Sequence, residues 1–262
     1  MIGADVMRWF VLSLGLVGCG SSAPVSSPEA PSQEAPGLHD ADGEVVAHGA
    51  PGESHAVHGR PHHGGDHATV DHSFADAEKW SAVFDDPARD AWQKPADLVA
   101  ALQLAPGSAV ADVGAGTGYF NPHLSRAVGA EGRVIAVDIE QSLVDWMTER
   151  ARKEGTANVE ARLGRPESPG LQTGEVDLVL LVDTYHHINE RVAWFERLKD
   201  SVKPGGRLVI VDFRPGDIPV GPPESHRIPQ EKVVAELVAA GWTVGETLDL
   251  LPYQFVQTMI RQ

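Results

Sequence analysis

The fold of this chain is decided by the stretch Asp112-Val113-Gly114-Ala115-Gly116-Thr117-Gly118. It ends an apolar run at 108–113 that is typical of a buried strand, and a helical pattern begins at Tyr119. Glycine lets the backbone turn tightly and lets a ligand approach it closely. Ligands of α/β sheets bind beyond the carboxyl ends of the strands, so the stretch predicts a ligand-binding turn.

Strand and helix patterns alternate on both sides of this turn. The patterns predict strands at 108–113, 133–137, 158–163, 176–182, 207–213, 242–250 and 253–260, and helices at 77–84, 95–102, 119–128, 142–154, 190–202 and 230–240. The run 176–182 is almost entirely apolar, as expected of a central parallel strand covered on both faces. The alternation therefore predicts an α/β fold with a doubly wound, mostly parallel sheet.

The spacing of the glycines separates two classes of nucleotide-bearing ligand. Dinucleotide-binding turns follow the pattern G-x-G-x-x-G, whereas this chain has G-x-G-x-G and carries Tyr119 where the third glycine would stand. The carboxylate of Asp112, directly before the turn, suits a ligand that carries an ammonium group rather than a pyrophosphate. Asp138 ends the next predicted strand, where an acid can accept hydrogen bonds from ribose hydroxyls. An NAD-dependent oxidoreductase is therefore the poorer fit.

These motifs resemble class I S-adenosylmethionine-dependent methyltransferases, in the small-molecule group that includes quinone-pathway C-methyltransferases. The resemblance covers about residues 90–262 and is carried by the stretches 110–118, 137–139, 176–188 and 198–213, the last of which contains the predicted turn Lys203-Pro204-Gly205-Gly206. It implies a seven-stranded Rossmann-like sheet whose last strand is antiparallel. It also implies S-adenosylmethionine as co-substrate, with no metal required, and it leaves the methyl acceptor unidentified.

The resemblance assigns a role to each matching position. The cofactor-binding positions are Asp112, Gly114, Gly116, Gly118, Asp138, Ile139 and Asp183. The glycines would shape the turn around the methionine part, and Asp112 would orient the turn or its ammonium contacts. Asp138 would hold the ribose hydroxyls, Ile139 would pack on the adenine, and Asp183 would lie near the methionine end or the acceptor.

Candidate catalytic residues follow the fourth predicted strand, in Asp183-Thr184-Tyr185-His186-His187. Histidine is the side chain most easily poised for proton transfer near neutral pH, so His186 is a candidate base, and Tyr185 could hydrogen-bond an acceptor oxygen. Alternatively, one of the histidines caps backbone groups. Adjacent side chains of an extended chain point in opposite directions, so we expect the two histidines to face different surroundings.

A segment rich in aromatic residues precedes the first predicted strand and contains Trp80, Phe84, Trp92, Gln93 and Lys94. In similar enzymes such N-terminal helices cover the cofactor and shape the acceptor pocket. Ordinary core packing by aromatics at helical spacing is the alternative.

Composition excludes several other functions. The 262 residues include 37 acidic and 21 basic side chains, for a net charge of −16, which argues against a general nucleic-acid-binding protein. A single cysteine excludes a disulfide framework or a cysteine-based zinc site within one chain.

The first 72 residues differ from the rest. They hold 8 of the 12 histidines but only 2 basic residues. Residues 1–19 read as a secretory signal, because the apolar run 9–17 leads into Leu16-Val17-Gly18-Cys19, which resembles a bacterial lipobox with Cys19 as the acylated residue. We therefore expect a lipid anchor on a membrane surface of the cell envelope. A short apolar start on a cytoplasmic protein is the alternative.

Three segments follow from these patterns: the signal at 1–19, a flexible linker at 20–72 rich in His, Pro and Gly, and a folded domain at 73–262. The linker histidines suit weak metal-ion binding or a plain spacer. The leading functional prediction is methyl transfer from S-adenosylmethionine to a small molecule by in-line displacement. The alternative is an envelope-tethered, non-catalytic protein that binds S-adenosylmethionine-type ligands or metal ions.

Overall fold

A single seven-stranded sheet organises the protein, for which a computed structural model describes residues 76–262. The strands are β1 (Ala109–Val113), β2 (Arg133–Asp138), β3 (Val159–Leu163), β4 (Val176–Val182), β5 (Val202–Phe213), β6 (Thr243–Leu248) and β7 (Gln254–Ile260). Their order is β3-β2-β1-β4-β5-β7-β6, and β7 runs antiparallel to both of its neighbours. The predicted α/β fold class, with its antiparallel last strand, is confirmed.

Seven α-helices accompany the sheet within these residues. They are α1 (Ala77–Phe84), α2 (Asp90–Gln93), α3 (Pro95–Ala101), α4 (Asn121–Val128), α5 (Gln141–Glu154), α6 (Arg191–Lys199) and α7 (Gln230–Ala239). Apolar residues of α3 and α4 pack on one face of the sheet, and those of α6 and α7 pack on the other. Helix α5 lies along β2 and β3 and ends at Gly155, whose left-handed φ of 69° confirms the predicted cap.

Strand β4 shows why its sequence is an unbroken apolar run. Val179 and Leu181 belong to the core beneath α6 and α7, whereas Leu178 and Leu180 belong to the core beneath α3 and α4. All four side chains are buried, because helices cover both faces of the strand. This arrangement fixes the carboxyl end of β4 at the centre of the molecule.

The segment Lys203-Pro204-Gly205-Gly206 is not the separate turn that the sequence predicted. It lies inside β5, where the pairing with β4 shifts register between Val176 and Leu178. Gly205 takes a φ of +76°, and a Cβ on Gly206 would stand 2.8 Å from the carbonyl oxygen of Asp177. The glycines therefore let an irregular strand pair closely, and α6 ends earlier than predicted, at Lys199.

The predicted signal, the acylated Cys19 and the His-rich linker at 20–72 lie outside the described residues. Within residues 76–262, no helix combines the length and the apolar character that crossing a membrane requires.

Candidate cofactor and acceptor site

The glycine turn joins β1 to α4 at the carboxyl edge of the sheet. Gly114, Gly116 and Gly118 all have positive φ, at 74°, 58° and 80°. A Cβ on Gly114 would stand 2.3 Å from the hydroxyl oxygen of Thr184, and one on Gly116 would stand 3.3 Å from the ring of Phe84. Both the backbone shape and the close neighbours therefore require glycine here.

Asp138 ties this turn to the neighbouring strand. Its Oδ2 accepts a hydrogen bond from the Gly116 amide at 2.9 Å, and its Oδ1 accepts one from the Glu140 amide at 3.1 Å. Ile139, the next residue, is 54% exposed although it is large and apolar. An acid and an exposed apolar side chain thus stand together at the end of β2, and their roles toward a ribose and an adenine stay predictions.

Asp112 lies beneath the turn, in the last part of β1, and is only 2% exposed. Burial raises the pKa of its carboxyl to about 7, the negative charge of Asp138 raises it further, and the positive charge of Arg89 opposes the rise. This carboxyl therefore changes charge near neutral pH and would be stabilised as a carboxylate by a cationic ligand group.

Asp183 follows β4 with a left-handed φ of 54°, which is uncommon for a residue with a side chain. Its two oxygens accept hydrogen bonds from Gln254 at 2.5 Å and from Arg89 at 3.4 Å. Gln93 closes a ring, because it donates to Gln254 at 2.7 Å and accepts from Arg89 at 3.1 and 3.3 Å. Burial raises the pKa of Asp183 to about 7, and the charge of Arg89 opposes that rise.

The ring contains Gln93, which belongs to the segment that the sequence analysis selected, and two residues that it did not select, Arg89 and Gln254. Arg89 lies three residues before Trp92 of the aromatic segment, and this proximity was the available signal for Arg89. Gln254 gave no signal, because a glutamine at the start of a predicted strand is ordinary.

The N-terminal helices do lie against the glycine turn. The ring of Phe84 approaches Gly116, and Trp80 stacks on Phe84 with centroids 5.3 Å apart. The carboxylate of Asp85 accepts hydrogen bonds from the hydroxyl of Thr117 at 3.0 Å and from Arg150 at 2.8 Å. Helix α1 has no buried residue, so contact with the turn describes this segment better than ordinary core packing does.

A second aromatic group lies at the end of β5. The ring of Trp92 is 5.8 Å from that of Phe213 and 6.5 Å from that of Tyr253. These rings lie at the carboxyl end of β5, which is at the same edge of the sheet as the glycine turn.

His186 is buried and faces Asp212, with Nδ1 at 3.0 and 3.1 Å from the two carboxylate oxygens. The residues 185–187 form a short 3-10 helix rather than the expected extended chain. The expectation that His186 and His187 face apart is therefore wrong, since their rings lie 4.2 Å apart. Although burial opposes it, the charge of Asp212 raises the pKa of His186, as does its hydrogen bond to that imidazole.

Tyr185 lies elsewhere. Its side chain is fully buried against Phe195, and its hydroxyl donates a hydrogen bond of 2.5 Å to Glu236, which also accepts from Arg191 at 2.7 Å. This network belongs to the packing of α6 and α7. The contacts of Tyr185 are those of a structural residue. The predicted catalytic role of Tyr185 is untested, and its buried position does not favour that role.

A glycine turn held by an acid on the adjacent strand, in a seven-stranded sheet with one antiparallel member, defines the class I methyltransferase fold. The comparisons with known proteins agree. Residues 110–206 match the family model described as a methyltransferase domain. A crystal structure of a SAM-dependent methyltransferase from Aquifex aeolicus superposes with a TM-score of 0.68 at 29% identity, covering 73% of this chain and 100% of that one.

Two curated relatives are methyltransferases by name. The ubiquinone/menaquinone biosynthesis C-methyltransferase UbiE of Hydrogenovibrio crunogenus is 28% identical over 123 residues, which cover 47% of this chain and 48% of that protein. The aklanonic acid methyltransferase DauC of a Streptomyces species is 29% identical over 127 residues, which cover 47% and 58%. The chain thus spans about half the length of these relatives. Together the matches support an S-adenosylmethionine-dependent methyltransferase domain, and they do not identify its acceptor.

Proposed function

We propose that this protein transfers a methyl group from S-adenosylmethionine to a small-molecule acceptor. The observation that carries the proposal is the joint placement of the glycine turn and the Asp138 carboxylate at one edge of the sheet. The carboxylate of Asp138 accepts amide hydrogen bonds from Gly116 and Glu140, which fix its position beside the glycine turn.

The residues present fit such a ligand. Ile139 offers an exposed apolar surface beside Asp138 for a flat base. The side chain of Asn121 lies against Gly118, and its buried Oδ1 has no hydrogen-bond partner among the described residues. Asp112 supplies a carboxyl whose ionised form a ligand ammonium would stabilise. Acidic, apolar and amide groups therefore line the turn in the combination that an amino-acid-bearing nucleoside requires.

When bound, S-adenosylmethionine supplies a methyl group already activated by its sulfonium. The protein then has to hold the acceptor in line with that methyl, since positioning supplies much of the rate enhancement of bimolecular reactions. The half-buried rings of Trp92 and Tyr253, which lie near the buried Phe213, offer apolar surface for an acceptor at the end of β5. No metal ion is needed for this displacement.

We also propose His186 as the base that removes a proton from the acceptor. Asp212 accepts from its Nδ1, which makes Nε2 the basic nitrogen of the neutral ring. The carboxylate also stabilises the imidazolium that forms when the proton arrives.

Calorimetric titration of the full chain with S-adenosylhomocysteine and with NAD tests the cofactor assignment. We expect micromolar binding of S-adenosylhomocysteine, about tenfold weaker binding by Asp138→Asn from the loss of a charge-assisted hydrogen bond, and no NAD binding. Asp97→Asn, an exposed acid on α3, is the matched control. Binding of NAD, or equal affinity in the Asp138 variant, would contradict the proposal.

The base is tested on any acceptor that wild type methylates in a screen of hydroxyl, thiol and carbon-acid compounds. We expect His186→Gln to lower kcat at least tenfold while the affinity for S-adenosylhomocysteine stays unchanged. An equal loss of cofactor affinity would instead indicate a structural role for His186.

We propose that the chain is held at a membrane surface of the cell envelope through a lipid on Cys19. The apolar run 9–17 and the single cysteine of the chain support this proposal. Fractionation of cells that express the Cys19→Ala variant tests it. Equal solubility of the variant and the wild type would refute the anchor.

A further inference from the structure

Arg214 lies at the end of β5 that carries the aromatic group of the site. It directly follows Phe213, and its amide donates to the carbonyl oxygen of Tyr253 at 3.0 Å. The hydrogen bonding between β5 and β7, which sets Phe213 opposite Gln254, therefore continues past the end of β5. The ring of Tyr253 is 6.5 Å from that of Trp92, so Arg214 stands at the rim of the aromatic surface proposed for the acceptor.

Arg214 is also close to the proposed base. Asp212, which accepts a hydrogen bond from His186, is two residues earlier in the chain. A strand rises about 3.3 Å per residue, so the Cα atoms of Asp212 and Arg214 are about 7 Å apart. One aromatic ring with a substituent at each end spans a comparable distance. A single small molecule can therefore contact His186 at one end and Arg214 at the other.

Most N–H donors of Arg214 are not used within the described residues. Its side chain is 38% exposed, and its Nη2 donates to Oδ1 of Asp249 at 3.1 Å, while the side chain of Asp249 is 93% exposed. A guanidinium has five N–H donors, and among residues 76–262 Asp249 is the one side-chain partner of Arg214. Exposed ion pairs contribute little to stability, so a ligand carboxylate can replace Asp249 at small cost.

Two neighbouring cations differ from Arg214 in their contacts. Arg227, in the loop after β5, donates to two carbonyl oxygens of that loop at 2.7 Å each, so its guanidinium holds the loop together. Lys94 lies on the other side of the segment that carries Asp249, because its Nζ donates to the carbonyl oxygen of Leu250 at 3.2 Å. Lys94 therefore adds positive charge beside the Arg214–Asp249 pair.

The acids of the site already face basic side chains. Asp183 lies 3.4 Å from Arg89, and Asp212 lies 3.0 Å from His186. Their charges are thus compensated within the protein before an anionic ligand arrives. Asp249 is the acid that such a ligand would displace.

We propose that the methyl acceptor carries a carboxylate on a flat apolar body, and that Arg214 binds this carboxylate. The inference rests on the proposed function and names the class of its acceptor. The rings of Trp92 and Tyr253 would contact the body, and the fork of guanidinium donors would exchange its one bond to Asp249 for two bonds to the ligand. Arg214 is therefore a specificity-determining residue, which selects anionic acceptors over neutral or cationic ones of the same shape.

Three probes that differ in one group test this selection. The compounds para-hydroxyphenylacetate, its amide and tyramine share a hydroxyphenyl ring, and at neutral pH their side chains end in an anionic, a neutral and a cationic group. The full chain is first saturated with S-adenosylhomocysteine, so that calorimetry reports the acceptor site alone and needs no turnover. The wild type should bind the acid about fivefold to tenfold more tightly than the amide, and tyramine most weakly, because the charge-assisted hydrogen bonds are partly exposed.

Two variants of Arg214 then locate the effect. Arg214→Gln should bind the acid and the amide with affinities within about twofold of each other, and Arg214→Lys should keep part of the preference, because lysine retains the charge without the fork of donors. Arg152→Gln, which breaks an exposed ion pair with Glu149 on α5, is the matched control and should keep the wild-type preference. Thermal unfolding reports whether each variant folds.

A variant of Asp249 separates ligand binding from a structural role of the ion pair. Asp249→Asn removes the acid that competes for Arg214, so it should strengthen binding of the acid by about twofold to threefold and leave binding of the amide unchanged. If the pair served only to hold the local structure, the same variant would weaken both probes.

The contrary results are distinct. Equal binding of the acid and the amide by the wild type, tightest binding of tyramine, or no binding of any probe to the saturated protein would overturn the inference and leave the proposed function standing. An Arg214→Gln variant that keeps the wild-type preference, or that weakens all three probes alike, would overturn it too. A wild type that does not bind S-adenosylhomocysteine would overturn the proposed function and the inference together.

Discussion

The carboxyl of Asp112 makes cofactor binding depend on pH in a way that can be calculated. Its pKa of about 7 in the free protein means that about half of the molecules carry it protonated at pH 7. A ligand ammonium favours the carboxylate, so binding must release a proton. If only the ionised form binds, the affinity at pH 6 is about eightfold lower than at pH 7.5, which corresponds to about 1.2 kcal/mol.

Calorimetry with S-adenosylhomocysteine at these two values of pH measures the change. Titrations at pH 7 in two buffers with different ionisation enthalpies should show the release of about half a proton per ligand. The ligand ammonium stays mostly protonated up to pH 7.5, since α-amino groups titrate near 7.7–8.0. Asp112→Asn is the control, because it removes this carboxyl and leaves Asp183, whose pKa is also raised to about 7, in place.

The variant should bind more weakly and with a smaller dependence on pH than the wild type. An affinity that is flat from pH 6 to 7.5 in the wild type would refute the reasoning. So would an Asp112→Asn variant that keeps the full eightfold change, because the titrating group would then be another one.

Three more perturbations follow from the same contacts. Asp112→Asn should also stabilise the fold at pH 8. The pKa of Asp112 is raised from 3.8 to about 7 in the folded protein, so stability that is present below pH 3.8 is lost as the pH rises through 7, by at most about 4 kcal/mol. Thermal unfolding should therefore show a variant that is more stable than the wild type at pH 8 and equally stable near pH 4. Gly114→Ala should lower the free energy of unfolding in urea by about 1–3 kcal/mol, because its Cβ would clash with Thr184 at a φ of +74°. Gly174→Ala is the control, since Gly174 also has a positive φ but no atom within 4 Å of the added Cβ, and it should lose less stability. Equal losses would show that the structure relieves the clash. Tyr185→Phe should lower the free energy of unfolding by about 1–2 kcal/mol, because it removes the hydroxyl that donates to Glu236, and it should leave kcat unchanged. A fall in kcat without a loss of stability would instead support Tyr185 as a catalytic residue.

Most of the fold follows from patterns that are local in the chain. The apolar run of β4 and the glycine turn after β1 both lie where the sequence predicts. The pair of Asp138 and Ile139 also ends its strand as predicted. These features depend on burial and backbone freedom, which short stretches of sequence encode.

The parts that escaped prediction depend on contacts between distant residues or on small changes of backbone. The partners Gln93 and Gln254 are 161 positions apart, and nothing near either one indicates the other. The 3-10 helix at Tyr185–His187 reverses the relative orientation of two histidines that an extended chain would hold apart. The sequence did not indicate that His186 is oriented by Asp212, because the two residues lie on different elements.

The hydrogen bond between Gln93 and Gln254 also bears on how the protein is made. Strand β7 inserts between β5 and β6, so β5 lacks one of its neighbours until residues 254–260 have been synthesised. Until then Asp183 has no amide from Gln254 to hold it. A truncated product that ends before residue 254 would therefore display the glycine turn and the acid of β2 without the contact that closes the site beside Asp183.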